Sequence, residues 1–128
     1  MPVTVPAGLR VELSRSQIVD SHEAEFNEWI QMLNDRYDES LAAIPAERAV
    51  FEATFRHTEG DGSTWIYRLS LVGENGGRRD ESDQIDADHA AFSCRVKEPG
   101  REELQPQSML TPAHIFATMT AWGRTGTE

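Results

Sequence analysis

Residues 48–72, RAVFEATFRHTEGDGSTWIYRLSLV, predict a β-hairpin and thereby decide the fold. Apolar and polar residues alternate on both sides of the turn, and successive side chains of a strand point to opposite faces of a sheet. The turn itself, Glu59-Gly60-Asp61-Gly62, carries two glycines, which adopt the positive φ angles that tight turns need. We therefore expect two antiparallel strands, 48–58 and 63–72.

The same alternation in residues 9–14, LRVELS, predicts another strand and assigns its side chains to the same two faces. We name each face after a residue of the hairpin. The Leu69 face is apolar and carries Leu9, Val11, Leu13, Phe51, Ala53, Phe55, Trp65, Tyr67, Leu69 and Leu71. The Arg68 face carries Arg10, Glu12, Ser14, Glu52, Thr54, Arg56, Ile66, Arg68, Ser70 and Val72. We expect the Leu69 face to meet the helices, and the Arg68 face to face water or line a polar cavity.

Apolar residues at helical spacing predict three helices around these strands. Asp20 and Glu23 form a capping-box pattern at the start of the first helix, and Pro45 is expected to stop it. Gly123 is expected to stop the last helix, and Pro106 within the fourth strand indicates an edge strand or a late start of that strand. In chain order the predicted elements are strand 9–14, helix 20–44 with a break near 34–35, strand 48–58, strand 63–72, helix 83–98, strand 104–110 and helix 112–122.

This β-α-β-β-α-β order with an added C-terminal helix is that of the ferredoxin-like split βαβ arrangement, an α+β fold. The 128 residues are expected to form a single domain over 1–128, which is long enough to bury its own core. Two helices can cover only one face of a four-stranded antiparallel sheet, so the other face is wet or covered by a partner.

Charge and composition argue against several classes of function. A net charge of −10 without a basic stripe does not suit nucleic acid. No apolar run approaches membrane-spanning length and the N-terminus lacks a signal-peptide pattern, so we expect a cytoplasmic protein without a membrane partner. The single cysteine, Cys94, fits a reducing compartment. No histidine pair has metal-ligand spacing, and we expect neither a metal nor another cofactor.

Several well-spaced stretches resemble a family of small, uncharacterised bacterial proteins, a domain of unknown function with the dimeric α+β barrel architecture. They cover about three quarters of the chain: 11–15 (VELSR), 23–29 (EAEFNEW) with Leu33-Asn34, Phe51-Glu52 with Phe55-Arg56, 65–67 (WIY) through Ser70 to Gly76-Gly77, and Ile85-Asp86 with His89 and Phe92. The resemblance implies a dimeric barrel and a homodimer, and it implies no activity. The family pattern carries an aromatic residue at the position of Arg68 and a later cysteine than Cys94, so we assign no role to Cys94.

The Arg68 face is the main candidate for a functional site. Glu12 and Glu52 are its candidate acid/base carboxylates. Arg56 and Arg68, together with Arg10, are candidates for binding an anion, because the guanidinium fork suits a carboxylate or a phosphate. A second subunit would enclose these groups in a sheltered cavity where their pKa values shift. Alternatively the face is solvated, and each Glu/Arg pair contributes roughly a few tenths of a kcal/mol.

Three further residues are candidates with an alternative structural role. His89 lies on the apolar stripe of the second predicted helix, either as a hydrogen-bonded core residue or as a second proton carrier at the cavity mouth. Trp65 and Tyr67 share the face of Leu69, so they are expected first as core residues and second as platforms for a ligand.

These observations lead to one functional hypothesis and its alternatives. The chain is expected to bind a small, polar, anionic metabolite between sheet and helices as a homodimer. It would act without a cofactor by proton transfer, in an isomerase, cyclase, lyase or oxygenase-like reaction, a choice that rests on analogy of fold. The first alternative is a non-catalytic ligand-binding or accessory protein with the same pocket, and the second is a structural partner with a solvated polar face.

Overall fold

The computed structural model describes residues 8–19, 21–73, 97 and 100–125. Its strands are β1 (Leu9–Gln17), β2 (Ala49–Thr58), β3 (Thr64–Gly73) and β4 (Glu102–Leu104). Its helices are α1 (Glu23–Asp35), α2 (Tyr37–Glu47) and α3 (Ala113–Thr125). The second predicted helix, with His89 and Cys94, lies outside the described residues.

The four strands form one sheet in the order β2-β3-β1-β4, and every neighbouring pair is antiparallel. Because β1 and β2 both run antiparallel to β3, they are parallel to each other, and the connection through α1 and α2 crosses the sheet. This order and these directions are those of the ferredoxin-like βαββαβ arrangement. The predicted α+β class and the additional C-terminal helix are confirmed.

The predicted hairpin turn joins β2 to β3. The Glu59 backbone N–H donates to the Ser63 carbonyl oxygen at 2.8 Å, and the Gly62 N–H donates to the Glu59 carbonyl oxygen at 3.0 Å. Gly62 adopts φ +89°, a conformation that glycine reaches without steric cost. This turn fixes the register of the hairpin, in which Glu52 lies opposite Ser70 and Thr54 opposite Arg68.

The helix boundaries correct several predictions. α1 begins at Glu23 with His22 as its N-cap, so Glu23 is the first helical residue and not the third; the predicted capping box from Asp20, which itself lies outside the described residues, is wrong. The predicted break is present at Arg36, between α1 and α2. Pro45 does not stop α2 at once: although it has no N–H to donate to the Leu41 carbonyl oxygen, the helix continues for two more residues, to Glu47. None of the described helices is both long and apolar enough to cross a membrane.

The C-terminal elements also differ from their predicted bounds. β4 covers only Glu102–Leu104, and residues 105–110 are irregular, because Pro106 has no N–H with which to extend the ladder. α3 begins at Ala113 and continues through Gly123 to Thr125, so the predicted stop at Gly123 is wrong.

α1 packs on the Arg68 face, contrary to expectation. Phe26 and Trp29 of α1 form a buried cluster with Ile18 and Ile66, and Ile66 belongs to the Arg68 face. Each of these aromatic side chains contributes about 1.5–3 kcal/mol through burial. Ser16, which lies opposite Ile66 on this face, is small and buried, and so it leaves room for the side chains of the helix. The face with the ionisable residues is therefore the one that α1 covers in part.

α3 packs on the opposite face, at the end of the sheet near Leu9. Leu9 and Leu71 form a second buried cluster with Met119 of α3. A Cβ placed on Gly73 would overlap the carbonyl oxygen of Gly123, so the two backbones are in direct contact. The Leu69 face is thus covered by α3 at one end, while Phe51 and Phe55 remain 40% and 53% exposed further along it.

Candidate functional site

A cleft of about 350 Å³ lies on the Arg68 face beside the edge of the sheet. We call it the polar cleft. It is bordered by β1, β3 and the segment that contains β4, and its polar lining residues are Glu12, Ser14, Arg68, Ser70, Arg101, Glu103 and Gln105. The strand register explains this grouping, since Glu12 lies opposite Ser70 and Ser14 opposite Arg68 on one face.

Glu52 and Arg68 form an ion pair beside this cleft that is less exposed than the other two described there. Arg68 Nη2 donates to Glu52 Oε1 at 2.8 Å, and both side chains are about 30% exposed. Glu52 and Glu12 flank Ser70 from β2 and β1, so both predicted carboxylates stand on the same cross-strand row. The structure therefore brings together three of the predicted site residues.

Two further ion pairs border the polar cleft and balance its charge. Arg10 Nε lies 3.3 Å from Glu12 Oε1, and Arg101 Nη2 donates to Glu103 Oε1 at 2.8 Å. Both pairs are about half or more exposed, so each adds little to stability. With Arg68 and Glu52, three arginines face three glutamates. The cleft is close to neutral in a chain of net charge −10.

Arg56 lies apart from this group, although it shares the face. Its Nη1 donates to Asn27 Oδ1 of α1 at 2.9 Å, and its guanidinium lies 5.7 Å from the centroid of the Phe26 ring. Arg56 is opposite Ile66, at the end of the sheet where α1 packs. Arg56 is therefore not among the residues that line the polar cleft, because its side chain is hydrogen-bonded to Asn27 of α1.

Trp65 and Tyr67 lie on the other face, where Arg15 contacts both. The Arg15 guanidinium stands 4.1 Å from the Trp65 ring centroid, and its Nη1 is 3.5 Å from the Tyr67 hydroxyl. Arg15 Nε also donates to Glu102 Oε2 at 2.6 Å. The Glu102 carboxylate, and next the Tyr67 hydroxyl, hold the pKa of Arg15 above its ordinary value. Both rings are half-buried. They contact the guanidinium of Arg15, which is already paired with the Glu102 carboxylate.

Arg15 is the residue of this cluster that sequence reasoning missed. The alternating pattern extends from Leu9 to Gln17, and Arg15 therefore shares the Leu69 face with Tyr67, its partner in the register. An arginine on an otherwise apolar strand face, opposite an aromatic residue, is the signal that identifies a cation-aromatic pair.

A second cleft, of about 270 Å³, lies on the Leu69 face, and we call it the apolar cleft. Strands β1, β2 and β3 form its floor and residues 104–109 form its wall. Its apolar lining residues are Val11, Leu13, Phe51, Leu69, Leu71, Leu104, Pro106 and Met109. Gln105 and Ser108 are the polar residues that border it in the part of the chain the structure describes.

Comparison with known families assigns the chain. A family of unknown function, DUF6176, matches residues 9–117. The chain belongs to this family. The resemblance to an uncharacterised domain family is thereby confirmed. No curated protein matches the chain.

The DUF6176 match takes in all four strands and the start of α3. Every residue that lines either cleft falls inside it, so both clefts belong to the family domain. The Met119 and Gly123 contacts of α3 lie beyond the matched residues.

Metal ligation finds no support in the described part of this DUF6176 domain. Among residues 8–19, 21–73, 97 and 100–125, no group of three or more His, Cys, Asp or Glu side chains is close enough to hold a metal ion. His89 lies outside those ranges, and its assignment as a proton carrier stays a prediction.

Proposed function

We propose that the protein binds a small anionic metabolite in the polar cleft and that it does so as a homodimer. The observation that carries this proposal is the presence of two guanidinium groups, Arg68 and Arg101, on the lining of one cleft of about 350 Å³. Such a volume accommodates a small metabolite, and small-molecule sites combine a concave surface with a few convergent polar groups.

The hydrogen bonding of the two arginines supports anion binding. Arg68 donates through Nη2 to Glu52, and Arg101 donates through Nη2 to Glu103. Within the described residues, the remaining N–H groups of both side chains have no protein acceptor. A guanidinium presents five donors in a fixed fork, so each arginine can bind a carboxylate or phosphate while it keeps its glutamate.

Glu12 and Glu52 are the residues proposed to move a proton on the bound metabolite. They flank Ser70 from opposite strands, and a ligand over Ser70 lies within reach of both. His89, as a second proton carrier, completes the proposal. The reaction class, an isomerase, cyclase, lyase or oxygenase-like step, rests on analogy of fold.

Binding without turnover is the second candidate, and one contact favours it. Glu52 is already held by Arg68 at 2.8 Å, which suits a residue that positions an arginine as well as it suits a base. Hydrogen–deuterium exchange separates the two candidates: an acid/base enzyme exchanges an acidic C–H of a bound carbonyl or carboxylate ligand in D₂O, and Glu52→Gln abolishes the exchange. No exchange with any bound ligand leaves binding alone.

The homodimer is proposed from the uncovered part of the Leu69 face. Phe51, Phe55 and Leu104 are each at least 39% exposed there, and we call these three residues the apolar patch. The three long strands, β1, β2 and β3, stand about 4.8 Å apart and over six residues of about 3.3 Å each present roughly 300 Å² in projection. Because side chains project from the sheet, the accessible area of this surface is larger than its projected area and lies closer to the roughly 800 Å² per partner of a standard interface.

The charge of the chain also favours a second copy on this patch. Two chains of net charge −10 repel each other, so a contact between them needs an uncharged surface. The apolar patch and the neighbouring Leu13 and Leu69 carry no charge, and the charges of Arg15 and Glu102, in the same cross-strand row as Phe55, neutralise each other in an ion pair. Pairing through them places the second copy on the Leu69 face, and not over the Arg68 face as the sequence led us to expect, so the polar cleft stays free for a ligand.

Calorimetric titration with acetate, butanedioate and inorganic phosphate tests the proposed anion site. We expect at least one of these anions to bind and to raise the melting temperature. Arg101→Gln and the double variant Arg68→Gln/Glu52→Gln should weaken binding; the double variant leaves no lone Glu52 carboxylate behind. Arg36→Gln, which removes an arginine at the junction of α1 and α2 and outside the lining of the cleft, is the matched control. Equal binding by all variants would overturn the site.

A further inference from the structure

The polar cleft and the apolar cleft border the same gap in the sheet. β1 pairs with β3 along one side, but on its other side β4 pairs only from Leu13 to Arg15, so no described strand lies beside Val11 and Glu12 on that side. Residues 105–109 leave the sheet and pass beside this gap instead. Five residues therefore line both clefts: Val11, Leu13, Leu104, Gln105 and Pro106. The two clefts meet around the edge of β1.

The chemistry of the two clefts is opposite. On the Arg68 face the lining includes two guanidinium groups, Arg68 and Arg101. On the Leu69 face it includes Phe51, Leu69 and Met109, with polar groups only at Gln105 and Ser108 among the described lining residues. A molecule that spans the gap meets a cation on one side and a hydrocarbon surface on the other.

We infer that the ligand of this protein is an amphipathic monocarboxylate that occupies both clefts. Its carboxylate binds Arg68 and Arg101 in the polar cleft, and its alkyl chain or aromatic ring lies in the apolar cleft against Phe51 and Leu69. This inference rests on the proposed function and names its substrate class. In the proposed homodimer the second copy covers the apolar patch, and so it encloses the apolar part of the ligand.

The volume of the apolar cleft sets the size of that part. At roughly 30 Å³ for each non-hydrogen atom in a liquid, about 270 Å³ accommodates about nine such atoms. A straight-chain acid of eight carbons or a phenyl-substituted propanoic acid satisfies this limit. A purely polar dicarboxylate leaves the apolar cleft unfilled.

Titration with a homologous series of acids tests the inference. The probes are acetate, butanoate, hexanoate and octanoate, with octan-1-ol as the neutral control. We expect affinity to increase about three- to fourfold with each added methylene that is buried. Octanol should bind at least about tenfold more weakly than octanoate, because it offers no charge to the arginines.

Two phenylalanine variants locate the chain of the ligand. Phe51 and Phe55 lie on the same strand, face and patch, but only Phe51 lines the apolar cleft. Phe51→Ala should reduce the gain per methylene for the longer acids, whereas Phe55→Ala should preserve it. Any loss of dimerisation affects the two variants alike, so the difference between them reports on the cleft.

The outcomes separate this inference from the proposed function. If short anions bind and octanoate binds no more tightly, the inference is overturned and the anion site remains. If octanol binds as tightly as octanoate, or if Phe55→Ala has the same effect as Phe51→Ala, the inference is overturned as well. If no anion binds at all, the proposed function fails with it. A steady gain with chain length that Phe51→Ala alone reduces, together with weak binding of octanol, supports the inference.

Discussion

Asp61 is a single residue whose ionisation contributes to the hairpin turn between β2 and β3. Its Oδ1 accepts hydrogen bonds from the Ser63 backbone N–H at 2.9 Å and from Ser63 Oγ at 2.7 Å. The backbone bond first, and the hydroxyl bond second, hold the pKa of Asp61 below its ordinary value. The charged carboxylate therefore stabilises the folded turn.

The lowered pKa of Asp61 predicts the direction of a pH effect. Its contribution to stability is present above the unfolded pKa of about 3.9 and is lost as pH falls through the lower folded value. Nuclear magnetic resonance titration of the carboxyl carbon should show this lowered pKa in the native protein. Ser63→Ala, which removes the hydroxyl donor and keeps the N–H, should raise the pKa partway. A native Asp61 that titrates at or above the unfolded value contradicts the account.

At the residue scale, the sequence predicted on which face of the sheet the candidate site residues lie, but not which of them come together at the polar cleft. Glu12, Glu52 and Arg68 share one face because alternation along a strand is strict, and this was readable from the sequence. The sequence did not show that Arg56 lies apart from these residues. Its position depends on where α1 crosses the sheet and on the Asn27 side chain, which accepts a hydrogen bond from it. Arg101 was missed because it lies outside any periodic segment.

The contact between β3 and α3 determines how closely the last helix approaches the sheet. Gly73 and Gly123 touch through their backbones, and a Cβ on Gly73 would overlap the Gly123 carbonyl oxygen. The Trp122 indole N–H also donates to the Ala49 carbonyl oxygen at 2.7 Å, which secures the helix to β2. A residue larger than glycine at position 73 must push α3 away.

Gly73→Ala is expected to lower the free energy of unfolding by about 1–3 kcal/mol, the usual cost of overpacking. Gly60→Ala is the matched control, because a Cβ on Gly60 meets no atom within 4 Å. It should change stability by no more than about 1 kcal/mol in either direction. Chemical denaturation of both variants measures the difference. Equal stabilities would show that β3 and α3 do not meet in this way.

At the element scale, the sequence predicted the hairpin and the helical segments but not which face each helix covers. Counting apolar residues favours the Leu69 face, yet α1 packs on the Arg68 face through Ile18 and Ile66. Ile18 and Ile66 are enough to pack one helix against the Arg68 face. The Leu69 face has more apolar residues; α3 covers one end of it, and the apolar patch remains exposed on the rest. Strand periodicity identifies two faces; it does not identify the neighbour of either.

For the whole molecule, the exposed apolar patch predicts self-association. Sedimentation velocity should give a species of twice the 14.4 kDa chain mass. Phe55→Glu places a carboxylate on the patch and should weaken the dimer about 30- to 1000-fold, the effect of losing about 2–4 kcal/mol at an interface. Leu41→Glu, which alters an exposed leucine of α2 away from the patch, should leave the dimer intact. A monomeric wild type contradicts the proposed pairing.

The central claim for the molecule is that the Arg68 face carries an anion site at the edge of the sheet, on the side opposite the apolar patch. The most direct measurement is a ¹⁵N–¹H spectrum of the arginine Nε–H groups during titration with acetate, octanoate and phosphate. We predict that at least one anion moves the Arg68 and Arg101 signals while the Arg36 signal stays in place. An Arg68 signal that moves no further than that of Arg36 with any of the three anions would contradict the account.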